Sequence, residues 1–290
     1  MPQFSTTSDK SPGEKSIPTS EELQEIARKL RIDIIEMIAR SGSGHLAGSL
    51  SSADILAVLY FAEMSINPKN PHDPMRDIFI LSNGHICPAL YSALAEKGFF
   101  PKQELSSFAQ TGALLQGHPS INIPGVETGS GSLGQGISIA VGWAISNKMD
   151  KQGTHIYCLS SDGELNEGQT WEAVMLGAKY KLENLTWIID RNNIQIGGNT
   201  EDIMPLESLR DKLESFNWYV IEIDGNNIAE VLGALRLAKK ILNRPTAIIA
   251  HTTPGKGVDF MENDPSWHGK APTEEESLKA LRELRKIKVG

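Results

Sequence analysis

The chain has 290 residues, 40% hydrophobic and 22% charged, which gives room for one large core, or about one to two domains. A net charge of −8, an isoelectric point of about 5.4 and the lack of any basic block beyond short Lys/Arg pairs argue against a nucleic-acid partner, because a phosphate backbone needs a cationic face. No run approaches the roughly 18 apolar residues of a membrane span, and two cysteines, Cys87 and Cys158, are too few for a disulfide framework and fit a reducing, cytoplasmic setting.

Met1–Ser20 is rich in Ser, Thr, Pro and Lys, lacks the apolar stretch of a signal peptide and reads as a disordered leader, leaving residues 21–290 as one domain. Thr19 and Glu22 have the spacing of a capping box, so a helix is expected over Glu21–Ala39 with Ile26, Leu30, Ile34 and Ile38 on one face. Ser41-Gly42-Ser43-Gly44 ends it, and a second helix is expected over Ala53–Met64, with Leu56, Leu59 and Tyr60 inward. Strand-length apolar runs follow at Ile78–Leu81, His155–Leu159, Leu185–Ile189, Trp218–Ile223 and Thr246–Ala250. Between them lie helical patterns at Pro88–Lys97, Gln135–Met149, Gln169–Tyr180, Leu206–Phe216 and Ile228–Leu242, and a charged amphipathic helix closes the pattern over Glu274–Ile287. Runs that are apolar throughout suit a parallel sheet covered on both faces, so the fold class is α/β, a doubly wound parallel sheet flanked by helices. Trp171, Trp187 and Trp218 read as core, and Met175 and Met204 as packing residues.

Ligands of such sheets bind beyond the carboxyl ends of the strands, which directs attention to the loops after Leu81, Leu159, Ile189 and Ala250. One holds Ser161-Asp162-Gly163-Glu164; another, thirty residues beyond Asp162, holds Asn192-Asn193-Ile194. An Asp and an Asn at neighbouring strand ends can give two oxygens to one hard cation, and a backbone carbonyl after Asn192 a third; Mg²⁺ takes the rest from phosphates and water. Gly163 allows close approach of a phosphate. Each loop alone also reads as ordinary turn residues; the pair at this spacing points to a cation–diphosphate site. Four of the seven histidines adjoin glycine, at Gly44-His45, Gly84-His85, Gly117-His118 and His268-Gly269, and imidazole binds phosphate or sugar hydroxyls and moves protons near neutral pH.

An acidic residue in a G-D-G turn, followed about thirty residues on by N-N, is the signature of thiamine-diphosphate enzymes, and Asp162-Gly163 through Asn192-Asn193 resembles it, with Ser161 in place of the first Gly. The histidine loops narrow the resemblance to transketolase. Ser43-Gly44-His45 resembles its G-H-P-G segment, Ser82-Asn83-Gly84-His85 its S-x-G-H, Gln116-Gly117-His118-Pro119 its G-H-P, and Gly131-Ser132-Leu133-Gly134-Gln135-Gly136 its G-P-L-G-Q-G. With Trp267-His268-Gly269, the matches run from Ser41 to Gly269 in family order. The resemblance implies thiamine diphosphate and Mg²⁺ as cofactors, with Asp162, Asn192 and the Ile194 carbonyl as metal ligands and Gly163 against the diphosphate. It gives His85 and His268 to the diphosphate, with His268 also facing substrate. His45 and His118 go to donor-sugar hydroxyls and proton transfer, Gly131, Ser132 and Leu133 to the thiazolium side, and Glu167 to a bridge between the two halves of the active site. Glu167 reads otherwise as a carboxylate at a helix N-terminus. Lys256 reads equally as a phosphate-neutralising cation or a solvated lysine.

There are departures: no proline follows His45, Ser132 replaces a proline, and Ala109 and Leu114 stand where the family has arginines. The pyrimidine-binding domain, with the glutamate that activates the cofactor, is not recognised before Gly290. The expectation is therefore the N-terminal subunit of a split transketolase, active only with a C-terminal subunit, forming an α2β2 hetero-oligomer and moving a two-carbon ketol unit from a ketose phosphate to an aldose phosphate. Alternatives are the diphosphate-binding subunit of a 2-oxo-acid dehydrogenase, a deoxyxylulose-phosphate-synthase-like chain, or a non-catalytic regulatory partner. A nicotinamide fold is a weak fourth, since Gly129-Ser130-Gly131-Ser132-Leu133-Gly134 fits G-x-G-x-x-G but follows no convincing strand.

Overall fold

A computed structural model describes residues 17–286. Most of the expected leader lies outside them, and Ser20 already belongs to the first helix. The Thr19 hydroxyl accepts the Glu22 N–H at 3.2 Å while the Glu22 carboxylate accepts the Thr19 N–H at 2.7 Å, and this box opens α1 (Ser20–Ser41). Gly42, at φ 67°, ends it in the left-handed conformation. Leu30, Ile34 and Ile38 are buried as expected and Ile26 half-buried. Next comes α2 (Leu46–Ser51), which the sequence pattern does not reveal; all six residues are buried, so no apolar period marks it. The helix expected over Ala53–Met64 divides into α3 (Ala53–Val58) and a π-helical turn over Leu59–Glu63.

The alternation of strand and helix then proceeds as expected: β1 (Ile78–Leu81), α4 (Cys87–Lys97), α5 (Gln135–Met149), β2 (Ile156–Ser161), α6 (Gly168–Lys179) and β3 (Leu185–Arg191). A two-stranded hairpin of β4 (Ile194–Gln195) and β5 (Gly198–Asn199) leads into α7 (Thr200–Ile203) and α8 (Leu209–Ser215). After these come β6 (Tyr219–Asp224), α9 (Ile228–Ala238), β7 (Thr246–His251) and α10 (Glu274–Lys286). The main sheet has order β1-β2-β3-β7-β6 and every pairing in it is parallel. Side chains alternate between two cores. Ile78, Ile80, Ile156, Cys158, Trp187 and Ile189 pack with α5, α6 and α8 on one face. Phe79, Leu81, Tyr157, Leu159, Ile188 and Ile248 pack with α1 to α4, α9 and α10 on the other. Burial on both faces is why the strands read as unbroken apolar runs, and the doubly wound architecture is as expected.

Differences cluster at element ends. β2 and β3 run two residues past the last apolar residue, because the ladder continues through Ser160↔Ile189 and Ser161↔Asp190. α8 starts later than Leu206, α9 stops at Ala238, and the expected end of the last helix at Ile287 lies outside the described residues. Trp187 and Trp218 are buried, with ring centroids 5.7 Å apart, whereas Trp171 is only half-buried. Met175 and Met204, expected as packing residues, are instead 51% and 57% exposed. No helix among the described residues is long and apolar enough to cross a membrane.

His155, at the foot of β2, is buried with Nε2 2.8 Å from Thr186 Oγ1, and burial lowers its pKa to about 3. The unfolded chain takes up a proton below about 6.5 that the folded chain refuses, so this residue's contribution is present above that pH and is lost as pH falls towards the folded value. Each pH unit in that window costs about 1.4 kcal/mol. The stability lead of the metal-free wild type over His155→Gln, measured by urea unfolding, is expected to shrink by roughly 2 kcal/mol between pH 6.5 and pH 5; an unchanged difference would contradict it.

Candidate active site

The parallel register of β2 and β3 sets Ser161 beside Asp190, and so brings the Asp162 loop against the Asn192 turn. Asp162 is fully buried. Its Oδ2 accepts from Arg191 Nη1 at 2.8 Å, from the Asn193 N–H at 2.9 Å and from the Thr200 hydroxyl at 3.2 Å. Its Oδ1 is buried with no hydrogen-bond partner. Burial raises the Asp162 pKa to about 6, with the charge of Asp190 adding and Arg191 opposing. Asn193, at φ 62°, turns the chain so that Asn192 Oδ1 accepts the Ile194 N–H at 3.1 Å while Asn192 Nδ2 donates to Asp190 Oδ2 at 2.9 Å. Among the described residues no group of three His, Cys, Asp or Glu side chains is arranged to hold a metal ion. A carboxylate oxygen left unpaired, an amide oxygen and a backbone carbonyl form a sparse oxygen set that suits a cation taking its remaining ligands from phosphate and water. A Cβ on Gly163 would meet only Gln195, at an ordinary 3.6 Å, so nothing inside this chain demands glycine there.

The histidines singled out in the sequence come together from distant segments. His45 precedes α2, His85 lies in the 3₁₀ turn after β1, and His268 follows a short 3₁₀ turn at Pro265–Trp267. Ring centroids are 4.7 Å apart for His45–His85, 5.5 Å for His45–His268 and 5.7 Å for His85–His268. Burial, then the charges of neighbouring histidines, lowers His45 to about 4 and His85 to about 3, and burial lowers His268. All three rings are neutral at pH 7, each able to donate from one nitrogen and accept at the other. His118 is exposed beside them, and a Cβ on Gly131 would lie 3.3 Å from its ring. Gly131 and Ser132 are exposed and Leu133 half-buried.

Glu164, which no sequence motif singled out, ties these loops. It accepts the Ser82 hydroxyl at 2.6 Å, the Gly134 N–H at 2.8 Å and the Ser161 N–H at 3.0 Å, and burial raises its pKa to about 7 against those hydrogen bonds. Its position in Ser161-x-x-Glu164 is a capping-box spacing, the one signal that marks it. Close approach of the loops explains two glycines: a Cβ on Gly136 would lie 2.5 Å from Ser82 Cα, and one on Gly84 2.5 Å from Ser130 Oγ. Glu167 is exposed at the N-cap of α6 and makes no capping hydrogen bond, so the reading as a helix-end carboxylate lacks its bond. Lys256 lies 3.6 Å from Glu262. Unpartnered buried polar atoms gather around these loops: Asp162 Oδ1, His268 Nδ1, Ser130 Oγ, Gln195 Nε2 and both polar atoms of Asn83. Such atoms are rare in a finished interior, and their concentration fits a polar, anionic cofactor with its cation.

Comparison with known proteins identifies the family. A family model described as the transketolase thiamine diphosphate binding domain matches residues 21–287. The chain is 41% identical over 264 residues to one of the subunits of the apulose-4-phosphate transketolase of Phocaeicola vulgatus, covering 91% of this chain and 94% of that one. It is 42% identical over 266 residues to a 6-deoxy-6-sulfo-D-fructose transketolase subunit of a Clostridium species, covering 91% and 97%. The crystal structure of transketolase from Campylobacter jejuni superposes with a TM-score of 0.86 at 36% identity, over 92% of this chain and 44% of that one. Against that longer enzyme, the present chain spans less than half the length. The chain belongs to the transketolase family and carries that family's thiamine-diphosphate-binding domain.

Proposed function

We propose that the chain is the N-terminal subunit of a two-chain transketolase that moves a two-carbon ketol unit from a ketose phosphate to an aldose phosphate. The observation that carries this reading is the packing of His45, His85 and His268, all neutral at pH 7, in the same loop cluster as the partly unpaired carboxylate of Asp162. A 2-oxo-acid dehydrogenase subunit has no need of such sugar-binding histidines. Asp162, Asn192 and the Ile194 carbonyl would hold Mg²⁺, and Gly163, His85 and His268 the diphosphate. When bound, thiamine diphosphate supplies the nucleophilic carbon at which a two-carbon unit is carried. The protein's part is orientation and proton handling. His45 and His118 hydrogen-bond the donor hydroxyls, and a ring nitrogen on one of them accepts the hydroxyl proton as the carbon–carbon bond breaks and returns it later. Gly131, Ser132 and Leu133 line the thiazolium side, and Glu167 reaches towards the pyrimidine half.

The named relatives act on apulose 4-phosphate and on 6-deoxy-6-sulfo-D-fructose, sugars with different terminal anions. The feature those substrates share is the ketose head, which is what the histidine loops suit. A cytoplasmic setting accords with buried, unpaired Cys87 and Cys158.

The pyrimidine-binding half is assigned to a partner subunit in an α2β2 assembly. The surface supports a protein partner. Trp143, Ile139 and Ile145 of α5 are only half-buried, and α6 exposes Met175, Leu176 and Tyr180 at 51%, 40% and 47%. An apolar strip of this kind marks an interaction face.

Three outcomes test the reading. Ketol transfer should require both the chain and a partner carrying the pyrimidine-binding glutamate, and full activity of the chain alone would reject it. Within the complex, His45→Ala should lower kcat/KM about 10²–10⁴-fold with thiamine diphosphate affinity retained. Met175→Asp should leave the melting temperature of the isolated chain unchanged and weaken association with the partner by at least about tenfold, a loss of 1.4 kcal/mol, in analytical ultracentrifugation. Undiminished association would remove α6 from the interface.

A further inference from the structure

Asp190 has no part in the assignments above. It sits at the end of β3, fully buried, with no Lys, Arg or His among its hydrogen-bond partners. Four donors from three separate segments converge on it. Ser51 and Ser52, at the end of α2, donate their hydroxyls to Oδ2 at 2.8 and 3.1 Å. The Thr252 hydroxyl, just past β7, donates to Oδ1. The fourth donor is Asn192 Nδ2, at 2.9 Å from Oδ2.

That fourth bond has a consequence for an amide. A side-chain carboxamide has one oxygen and one NH2 group, and a half-turn exchanges them. A cation accepts only the oxygen. With its NH2 group committed to a carboxylate that cannot donate, Asn192 has one orientation, and Oδ1 is the atom that remains on the other side. The Ile194 N–H, donating to that Oδ1 at 3.1 Å, agrees with the same orientation. The hydroxyls of Ser51, Ser52 and Thr252 hold Asp190 in turn, so the ligand's orientation is referred back to α2 and to the loop after β7.

We infer that Asp190 is a positioning residue: it fixes the Asn192 carboxamide so that its oxygen faces the divalent cation, and it acts through Asn192. This rests on the reading of Asp162 and Asn192 as metal ligands. Groups that orient a ligand in this way typically account for roughly 10–100-fold in metal affinity.

The test is Mn²⁺ binding to the full 290-residue chain with thiamine diphosphate present, followed by electron paramagnetic resonance and calorimetry. Asp190→Ala should weaken Mn²⁺ binding about 10–100-fold. The discriminating background is Asn192→Asp, where a symmetric carboxylate has no wrong orientation. There Asp190→Ala should weaken binding far less, since only the attraction of one nearby negative charge is lost. Equal weakening in both backgrounds would show a general structural role and overturn the inference. If Asp190→Ala does not fold, Asp190→Asn carries the same comparison at near-constant volume, with a smaller loss expected in the wild-type background and a smaller one still in the Asn192→Asp background. Asp162→Ala separates the two layers. If it abolishes Mn²⁺ binding while the Asp190 variants change nothing, only the inference about Asp190 falls. If it has no effect, or the wild type shows no saturable site, the metal assignment falls with it.

Discussion

Three carboxylates, Asp162, Glu164 and Asp190, are fully buried at the carboxyl ends of the adjacent strands β2 and β3, and the loops of the site are organised by what those carboxylates accept. Burying an ionised carboxylate costs several kcal/mol unless hydrogen bonds replace its water. Here each is surrounded by donors that come from elsewhere in the chain. Glu164 draws in the loops of Ser82 and Gly134, Asp190 the end of α2 and the loop after β7, and Asp162 the guanidinium of Arg191 and the start of α7. Burial raises all three pKa values, which shows that the donors do not fully offset the loss of water. The unpaired oxygen of Asp162 is where that deficit is most local, and a divalent cation is the natural complement to it.

The architecture explains why carboxylates can be held there. A parallel sheet covered on both faces has its interior filled by apolar side chains, so polar groups are confined to the strand ends. β2 and β3 extend two residues beyond their apolar stretch, and those residues, Ser160, Ser161, Asp190 and Arg191, carry the ladder into polar territory. The rigid hydrogen bonds of the ladder therefore reach up to the residue before Asp162 and the residue before Asn192. The proposed ligands Asp162 and Asn192 thus follow directly on the hydrogen-bonded ladder, and Asn193, in a left-handed conformation, turns the chain beyond it.

The strands and most helices are legible in the sequence because their burial on both faces is written as apolar runs, and α5 has the bounds expected of it. What sequence pattern could not show was α2, whose Leu-Ala-Gly-Ser-Leu-Ser is buried on every side and so has no period, and the strand ends, where polar residues continue a ladder that hydropathy has already abandoned. The histidines are legible one loop at a time through their glycine neighbours; that His45, His85 and His268 share one cluster depends on segments more than 180 residues apart meeting, which no local spacing encodes. Glu164 and Asp190 escape for a different reason. Each has one hydrogen bond within its own loop, but the others go to Ser82, Gly134, Ser51, Ser52 and Thr252, far away in sequence. A single acidic residue at the end of an otherwise apolar run, Ile188-Ile189-Asp190, is the clue the sequence holds for Asp190, as the capping-box spacing is for Glu164.

The distribution of polarity over the surface also separates two kinds of open site. Around the histidines the unpartnered atoms are polar, which calls for a small, charged, hydrogen-bonding occupant. Along α5 and α6 the exposed groups include the large apolar side chains Met149, Met175 and Leu176, which calls for a protein face. The two regions adjoin at Gly134, whose backbone lies against Glu167 at the start of α6 and whose N–H is held by Glu164. A partner settling on the apolar strip would thus press on the same loop that Glu164 ties to Ser82 and to the Asp162 turn. The proposed cofactor site and the proposed docking face thus share the Gly134 loop.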